Sequence, residues 1–109
     1  MAVTYKVLGQ NNPAINTLTT LYTVPANTST VVSTLSVCNQ SGSAGTFRVA
    51  VRPAGATIDP KHYVAYDTQV PGNDTIHLTI GMSLGQTDVV SILSSSGFVS
   101  FNLFGSEIS

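Results

Sequence analysis

The stretch Asp74-Thr75-Ile76-His77-Leu78-Thr79-Ile80 sets Ile76, Leu78 and Ile80 on one side of an extended chain and Thr75, His77 and Thr79 on the other. A period of two is the pattern of a strand with one face in a core and the other in water. The same pattern recurs on either side of this stretch. Pro71-Gly72-Asn73-Asp74 reads as a tight turn, and before it residues 62–70 form a second strand bounded by Pro60 and Pro71. Further upstream Phe47, Val49 and Val51 point inward while Arg48, Ala50 and Arg52 point outward, until Pro53-Ala54-Gly55 ends the run. Residues 4–8, 17–24, 29–38, 88–93 and 98–104 complete a set of about eight short strands. Within 29–38, alternation places Val31, Leu35 and Val37 on one face with Ser33, opposite Thr30, Thr34 and Ser36. Ser94-Ser95-Ser96-Gly97 suits a hairpin between the last two strands. β-Branched residues dominate, so the only helical segment the pattern allows is a single turn near 81–86. The expected fold class is all-β, with antiparallel strands in a β-sandwich or jelly-roll-like domain spanning residues 1–109. A closed barrel is the nearest alternative.

Composition adds a second constraint. The chain has 109 residues, of which 42% are hydrophobic, enough for one core, and only 8% are charged, against about 25% in ordinary globular domains. Fourteen Thr and thirteen Ser supply the polar surface instead. A net charge of -1 offers no basic field for nucleic acid or an anionic membrane surface, and neither partner is expected. The sequence has no apolar run of the roughly 18 residues that span a bilayer, and its first residues lack a signal peptide's pattern. A product made in the cytosol is therefore expected. Cys38 is alone, which excludes an internal disulfide. An apolar-rich chain with so few charges is poorly protected against self-association, so a homo-oligomer or a permanent assembly is expected. Unpaired edge strands of an open sandwich point the same way.

Reactive constellations are scarce. His62 and His77 fall on neighbouring predicted strands without a third metal ligand, and read as solvent-facing strand residues. Cys38 reads as a small buried hydrophobe. No G-x-S-x-G elbow, phosphate loop or calcium loop is present. Asp59, Asp74 and Asp88 fit turn and strand-end capping, whereas Asp67 lies mid-strand and can pair across strands with Arg48 or Arg52. His62, Tyr63 and Tyr66 form a local aromatic cluster that reads first as strand packing and second as a sugar platform. No catalytic residue, cofactor or metal site is expected.

Four segments carry a likeness. Met1-Ala2-Val3-Thr4-Tyr5-Lys6-Val7-Leu8-Gly9-Gln10, Thr20-Leu21-Tyr22-Thr23-Val24-Pro25-Ala26, the run from Phe47 through Ala56 with Lys61-His62-Tyr63, and Phe101-Asn102-Leu103-Phe104-Gly105-Ser106-Glu107-Ile108 resemble a family of small virion structural proteins of tailed bacteriophages, of the cyanophage and marine phage type. The resemblance implies a non-enzymatic protein of the virion, assembled in the host cytoplasm and bound to other virion proteins on the particle exterior. The first expectation is a capsid decoration or cement protein, present in many copies as trimers or other small rings on the major capsid protein. The alternative is a tail, baseplate, collar or fibre-associated adaptor, and after it a host-glycan-binding module. Partner contacts are expected at residues 1–4, 11–16, 55–61 and 104–109, with Arg48, Arg52, Ile58, Lys61, Tyr63, Phe104 and Ile108 as the named side chains. For Phe104 and its neighbours, a last strand that finishes the core is the competing reading.

Overall fold

The computed structural model describes residues 2–109 and contains nine strands among them. These are β1 (Val3–Asn11), β2 (Thr19–Thr23), β3 (Ser29–Asn39), β4 (Gly45–Arg52), β5 (Tyr63–Val70), β6 (Thr75–Leu78), β7 (Met82–Leu84), β8 (Val89–Ser94) and β9 (Val99–Ile108). The front sheet has the order β1-β9-β3-β6, with β7 also paired to β3, and the back sheet has the order β2-β8-β4-β5. All pairings are antiparallel. β6 pairs with β3 at Leu35–Cys38 and β7 pairs with β3 at Thr30–Val32, so the two act as one edge strand broken at residues 79–81. Counted that way, β1 pairs with β9, β2 with β8, β3 with β6 and β7, and β4 with β5. These nested pairs, folded over into two sheets, make a jelly roll.

Two expectations are corrected by this topology. Residues 81–86 hold strand β7 in place of a helical turn, because Met82, Ser83 and Leu84 find ladder partners on β3. Residues 94–97 do not close a hairpin: β8 lies in the back sheet and β9 in the front sheet, so the loop is an arch between layers. Gly and Ser permit either geometry, and it is the inward faces of Ile92 and Phe101 that decide.

The core lies between the sheets. Leu35, Val37, Val99, Phe101 and Leu103 come from the front sheet and Phe47, Val49, Val90 and Ile92 from the back, each with no exposed surface. Phe47 meets Phe101 across the layers edge to face, with ring centroids 6.1 Å apart and planes at 71°. At one end of the sandwich the buried Asn39 donates from Nδ2 to the carbonyls of Ser43 (2.8 Å) and Val70 (3.3 Å) and accepts from the Ser41 N–H (2.9 Å). That side chain ties the β3–β4 arch to the end of β5 and satisfies backbone groups that a closed end would otherwise strand.

Strict alternation fails in β3, and the reason is a bulge. Thr34 pairs with Phe104 and Val32 with Gly105, leaving Ser33 as an extra residue. Inside and outside exchange there: Leu35 and Val37 are buried above the bulge, Val32 and Thr30 below it, and Val31 is exposed. β1 breaks register at the same level, with Leu8 as the extra residue between Val7 and Gly9. Cys38 is half-buried on the outer side of β3, since its neighbour Val37 takes the core position.

Between the two bulges, Gly105 passes close to β3. A Cβ on Gly105 would overlap the carbonyl oxygen of Val31 and crowd the Val32 Cα at 3.0 Å. The neighbours are backbone, so relief requires strand movement. Gly105→Ala is expected to destabilise the domain by about 2–4 kcal/mol. Gly81→Ala, where a Cβ meets nothing within 4 Å, should change stability by less than about 0.5 kcal/mol. Urea unfolding of both variants checks the contrast.

Candidate functional site

The two outer faces of the sandwich differ. On the back sheet, Ala50, Ser91 and Val89 lie on the outer face yet are buried. They are covered by the chain itself. The connection from β4 to β5 contains two 3-10 turns, Pro53–Gly55 and Pro60–His62, and folds over this face. Arg52 fastens it, donating from Nε to Ser91 Oγ (3.1 Å) and from Nη1 to the carbonyls of Ala56 (3.0 Å) and Gly55 (3.4 Å). Asp88 adds a second fastening by accepting from the Ala54 N–H at 2.9 Å. Asp59 caps the second turn, accepting from the Lys61 N–H at 3.2 Å, while its own N–H donates to His62 Nδ1 at 3.1 Å. His62 is therefore a buried turn residue that acts as an acceptor at Nδ1, correcting the expectation of a solvent-facing strand histidine. His77 is exposed on β6 in the other sheet, so the two histidines are not brought together.

Beside this connection, the edge strand β5 carries one residue more than β4 in each of two places. Tyr66 and Asp67 together oppose Arg48, and Val64 is extra between Ala65 and Tyr63. Asp67 takes a left-handed φ of 49°, a conformation that Asp tolerates better than most residues. Bulges re-aim side chains, and here they bring Tyr63, Tyr66 and Asp67 around Arg48. Arg48 donates from Nε to Asp67 Oδ1 (2.7 Å) and from Nη2 to Oδ2 (3.2 Å). This is the cross-strand pair expected for Asp67. Its guanidinium stands 4.0 Å from the Tyr66 ring centroid and 6.0 Å from that of Tyr63, and the two rings meet edge to face at 5.0 Å and 81°. The hydrogen bonds from Arg48 hold the Asp67 carboxyl below the usual carboxylate range, and the same pair raises the Arg48 pKa further above its ordinary value. Ile58, Asp59, Pro60, Tyr63 and Tyr66 line an open groove of about 540 Å³, within the range of roughly 300–1,000 Å³ common for small-molecule sites.

The front sheet's outer face is bare. Val3, Tyr5 and Val7 on β1, Val31 on β3 and Phe104 on β9 are all exposed, Tyr5 by 83%. Register brings them together: Tyr5 and Val31 flank Ser106 from opposite sides, and Val7 pairs with Phe104. A smaller groove of about 340 Å³ runs among Tyr5, Val31, Ser33 and Phe104.

The side chains singled out in the sequence thus divide between two faces. Arg48, Arg52, Ile58, Lys61 and Tyr63 belong to the covered side, with Arg52 committed to internal bonds and Lys61 exposed. Phe104 lies on the bare side, while Ile108 is half-buried between its ladder partners Val3 and Ser29. Phe101 and Leu103 of the same strand are buried, so the last strand finishes the core while Phe104 stays outside it. Of the expected contact segment 1–4, Met1 lies outside the described residues. Tyr5, Val7 and Val31 were not singled out by sequence reasoning. For Val31 no local signal exists, since only the bulge at Ser33 puts it outside. Among the described residues, no group of three or more His, Cys, Asp or Glu is placed to hold a metal ion.

One polar cluster closes the end of the sandwich away from Asn39. The Tyr22 hydroxyl donates to Glu107 Oε2 at 2.6 Å and lies 2.7 Å from Thr30 Oγ1, while Lys6 Nζ donates to Glu107 Oε1 at 3.3 Å. Burial, with help from the Glu107 bond, pushes the Tyr22 pKa from 10.0 up to about 12. The Tyr22 hydroxyl, aided by Lys6, holds the Glu107 carboxyl below its ordinary 4.5.

No family model matches the chain, and neither the curated proteins nor the solved structures contain a match.

The signs of the two shifts define a stability plateau. A carboxylate with a depressed folded pKa contributes its full stabilisation above about 4.5 and loses it as pH falls through the folded value. A phenol with a raised folded pKa contributes below about 10 and loses that stabilisation as pH rises through about 12. Urea midpoints measured across pH should fall at both limits; Glu107→Gln should flatten the acid limb and Tyr22→Phe the alkaline limb.

Proposed function

We propose that this chain is a non-enzymatic virion structural protein of a tailed bacteriophage, decorating the capsid exterior in many copies and docking through the outer face of its front sheet. One observation carries the reading: that face presents Val3, Tyr5, Val7, Val31 and Phe104 to solvent as neighbours, on a chain with 8% charged residues. An apolar patch of this kind marks an interaction surface, and the centres of lasting interfaces are depleted of charge. Removing the patch from water contributes roughly 25 cal/mol per Å² of apolar area, offset by the cost of association. With a net charge of -1 there is little long-range steering, so affinity comes from area and shape. The resemblance of the four segments to small phage virion proteins supplies the kind of partner. Jelly rolls recur in capsid and lectin domains, which supports the reading. Self-association into a small ring on a capsid junction would use the same surface or the free edge of β1.

The test is incorporation into particles. The double variant Tyr5→Asp, Phe104→Asp changes two exposed side chains and should leave thermal unfolding of the free domain nearly unchanged. Its copy number in purified virions, counted by quantitative mass spectrometry on separated heads and tails, should drop at least about tenfold, a loss of about 1.4 kcal/mol or more in docking free energy. Undiminished incorporation would remove the front sheet as the docking face. Wild-type copies travelling with tails would replace capsid decoration by a tail adaptor.

A further inference from the structure

We propose that the groove beside β5 is a binding site for a neutral pyranose ring, stacked on Tyr66 and bounded by Tyr63 and Asp59. This site is separate from the docking face and stands on different observations.

The groove is built at a cost. Two register breaks and a left-handed Asp67 lie in one eight-residue edge strand. Strained, bulged backbone of this kind concentrates at functional sites. Its effect is to turn Tyr66 outward, 57% exposed, with Arg48 at 4.0 Å from its ring. Arg48 is fixed in turn by the two-point pair with Asp67 and does not line the groove. The aromatic platform is therefore held in place before any ligand arrives, which lowers the ordering cost of binding.

The chemistry of the walls selects the ligand. Ring faces and the side chains of Ile58 and Pro60 are apolar, and the C–H groups that cluster on one side of a pyranose need such a surface. Its hydroxyls need donors and acceptors at the rim. Among the described residues the Tyr66 hydroxyl makes no internal hydrogen bond, and Asp59 uses only Oδ1, leaving Oδ2 available. The Arg48 charge is neutralised by Asp67, and of the five lining residues only Asp59 is ionised, the exposed Lys61 lying outside the lining, so the groove favours a neutral sugar over phosphates and acidic ones. A proline-rich peptide is the main competitor for an aromatic groove. It requires successive ridges along a helix that rises about 3.1 Å per residue, whereas here two perpendicular rings at 5.0 Å form a single notch.

The experiment is a titration of the isotope-labelled chain with the methyl pyranosides of glucose, galactose and mannose, followed by amide shifts. At least one is expected to shift resonances of Arg48 and residues 58–67 selectively, with a Kd of roughly millimolar order. Tyr66→Ala should weaken that binding at least about tenfold, while Tyr5→Ala on the opposite face leaves it unchanged. Asp59→Asn keeps the capping ability of the side chain, so it tests the acceptor in a folded domain, and it should weaken binding several-fold. The proposal is overturned if no pyranoside shifts these resonances, or if binding survives both Tyr66→Ala and Asp59→Asn. It is equally overturned if a proline-rich peptide shifts the groove and the sugars do not.

Discussion

Where β9 crosses between β1 and β3 at Gly105, the backbones approach so closely that no side chain fits, and each neighbour inserts an extra residue at that level. This crossing organises the front sheet. Above it, Leu35, Val37, Phe101 and Leu103 pack toward the back sheet in ordinary alternation. Below it, the parity of β3 is reversed, so Thr30 and Val32 turn inward and Val31 turns out. The inward Thr30 then meets Tyr22 and Glu107, which close the sandwich with hydrogen bonds where apolar contact runs out. A single Cβ at position 105 would press on the core register, the polar closure and the outer apolar patch together.

The second organising feature is unequal coverage. The β4–β5 connection lies over the back sheet and buries Ala50 and Ser91, fixed by Arg52 and Asp88. Among the described residues none performs that service for the front sheet, whose Tyr5 is 83% exposed. A small domain has too little chain to wrap both faces. In the proposed reading the uncovered face takes a macromolecular neighbour, and the covered face a small ligand in the crevice beside its own wrapping.

Much of the fold was legible in the residues. Alternation in Phe47-Arg48-Val49 and in Thr75-Ile76-His77-Leu78 follows the structure, because those strands keep one face in the core without interruption. The breakers Pro53, Pro60 and Pro71 all fall outside strands. What was illegible depended on other strands. The bulge at Ser33 answers the path of β9, and β7 forms only because β3 presents an open edge at Thr30–Val32. The arch after Ser94 is set by which layer Phe101 joins, a matter the loop residues do not encode. At the groove, the partnership of Arg48 with Asp67 and the clustering of Tyr63 with Tyr66 could be read from strand proximity. Asp59 as a turn cap was legible too, but its place with Pro60 in the groove wall and the burial of His62 were not, since they arise from a short helical turn folded onto a sheet.

The nested pairing also governs the order in which the molecule can assemble. β9 is an inner strand of the front sheet, seated between β1 and β3, yet it is the last strand in the sequence. Until residues 99–108 leave the ribosome, β1 has no ladder partner and the core lacks Phe101 and Leu103. Most contacts join residues far apart in the chain, the condition under which β-rich domains fold slowly, on the order of milliseconds to seconds. Until β9 has been made, β1 and one edge of β3 stay unpaired and open to aggregation. The chain's abundant Ser and Thr, which lend solubility without charge, sit on the strands themselves.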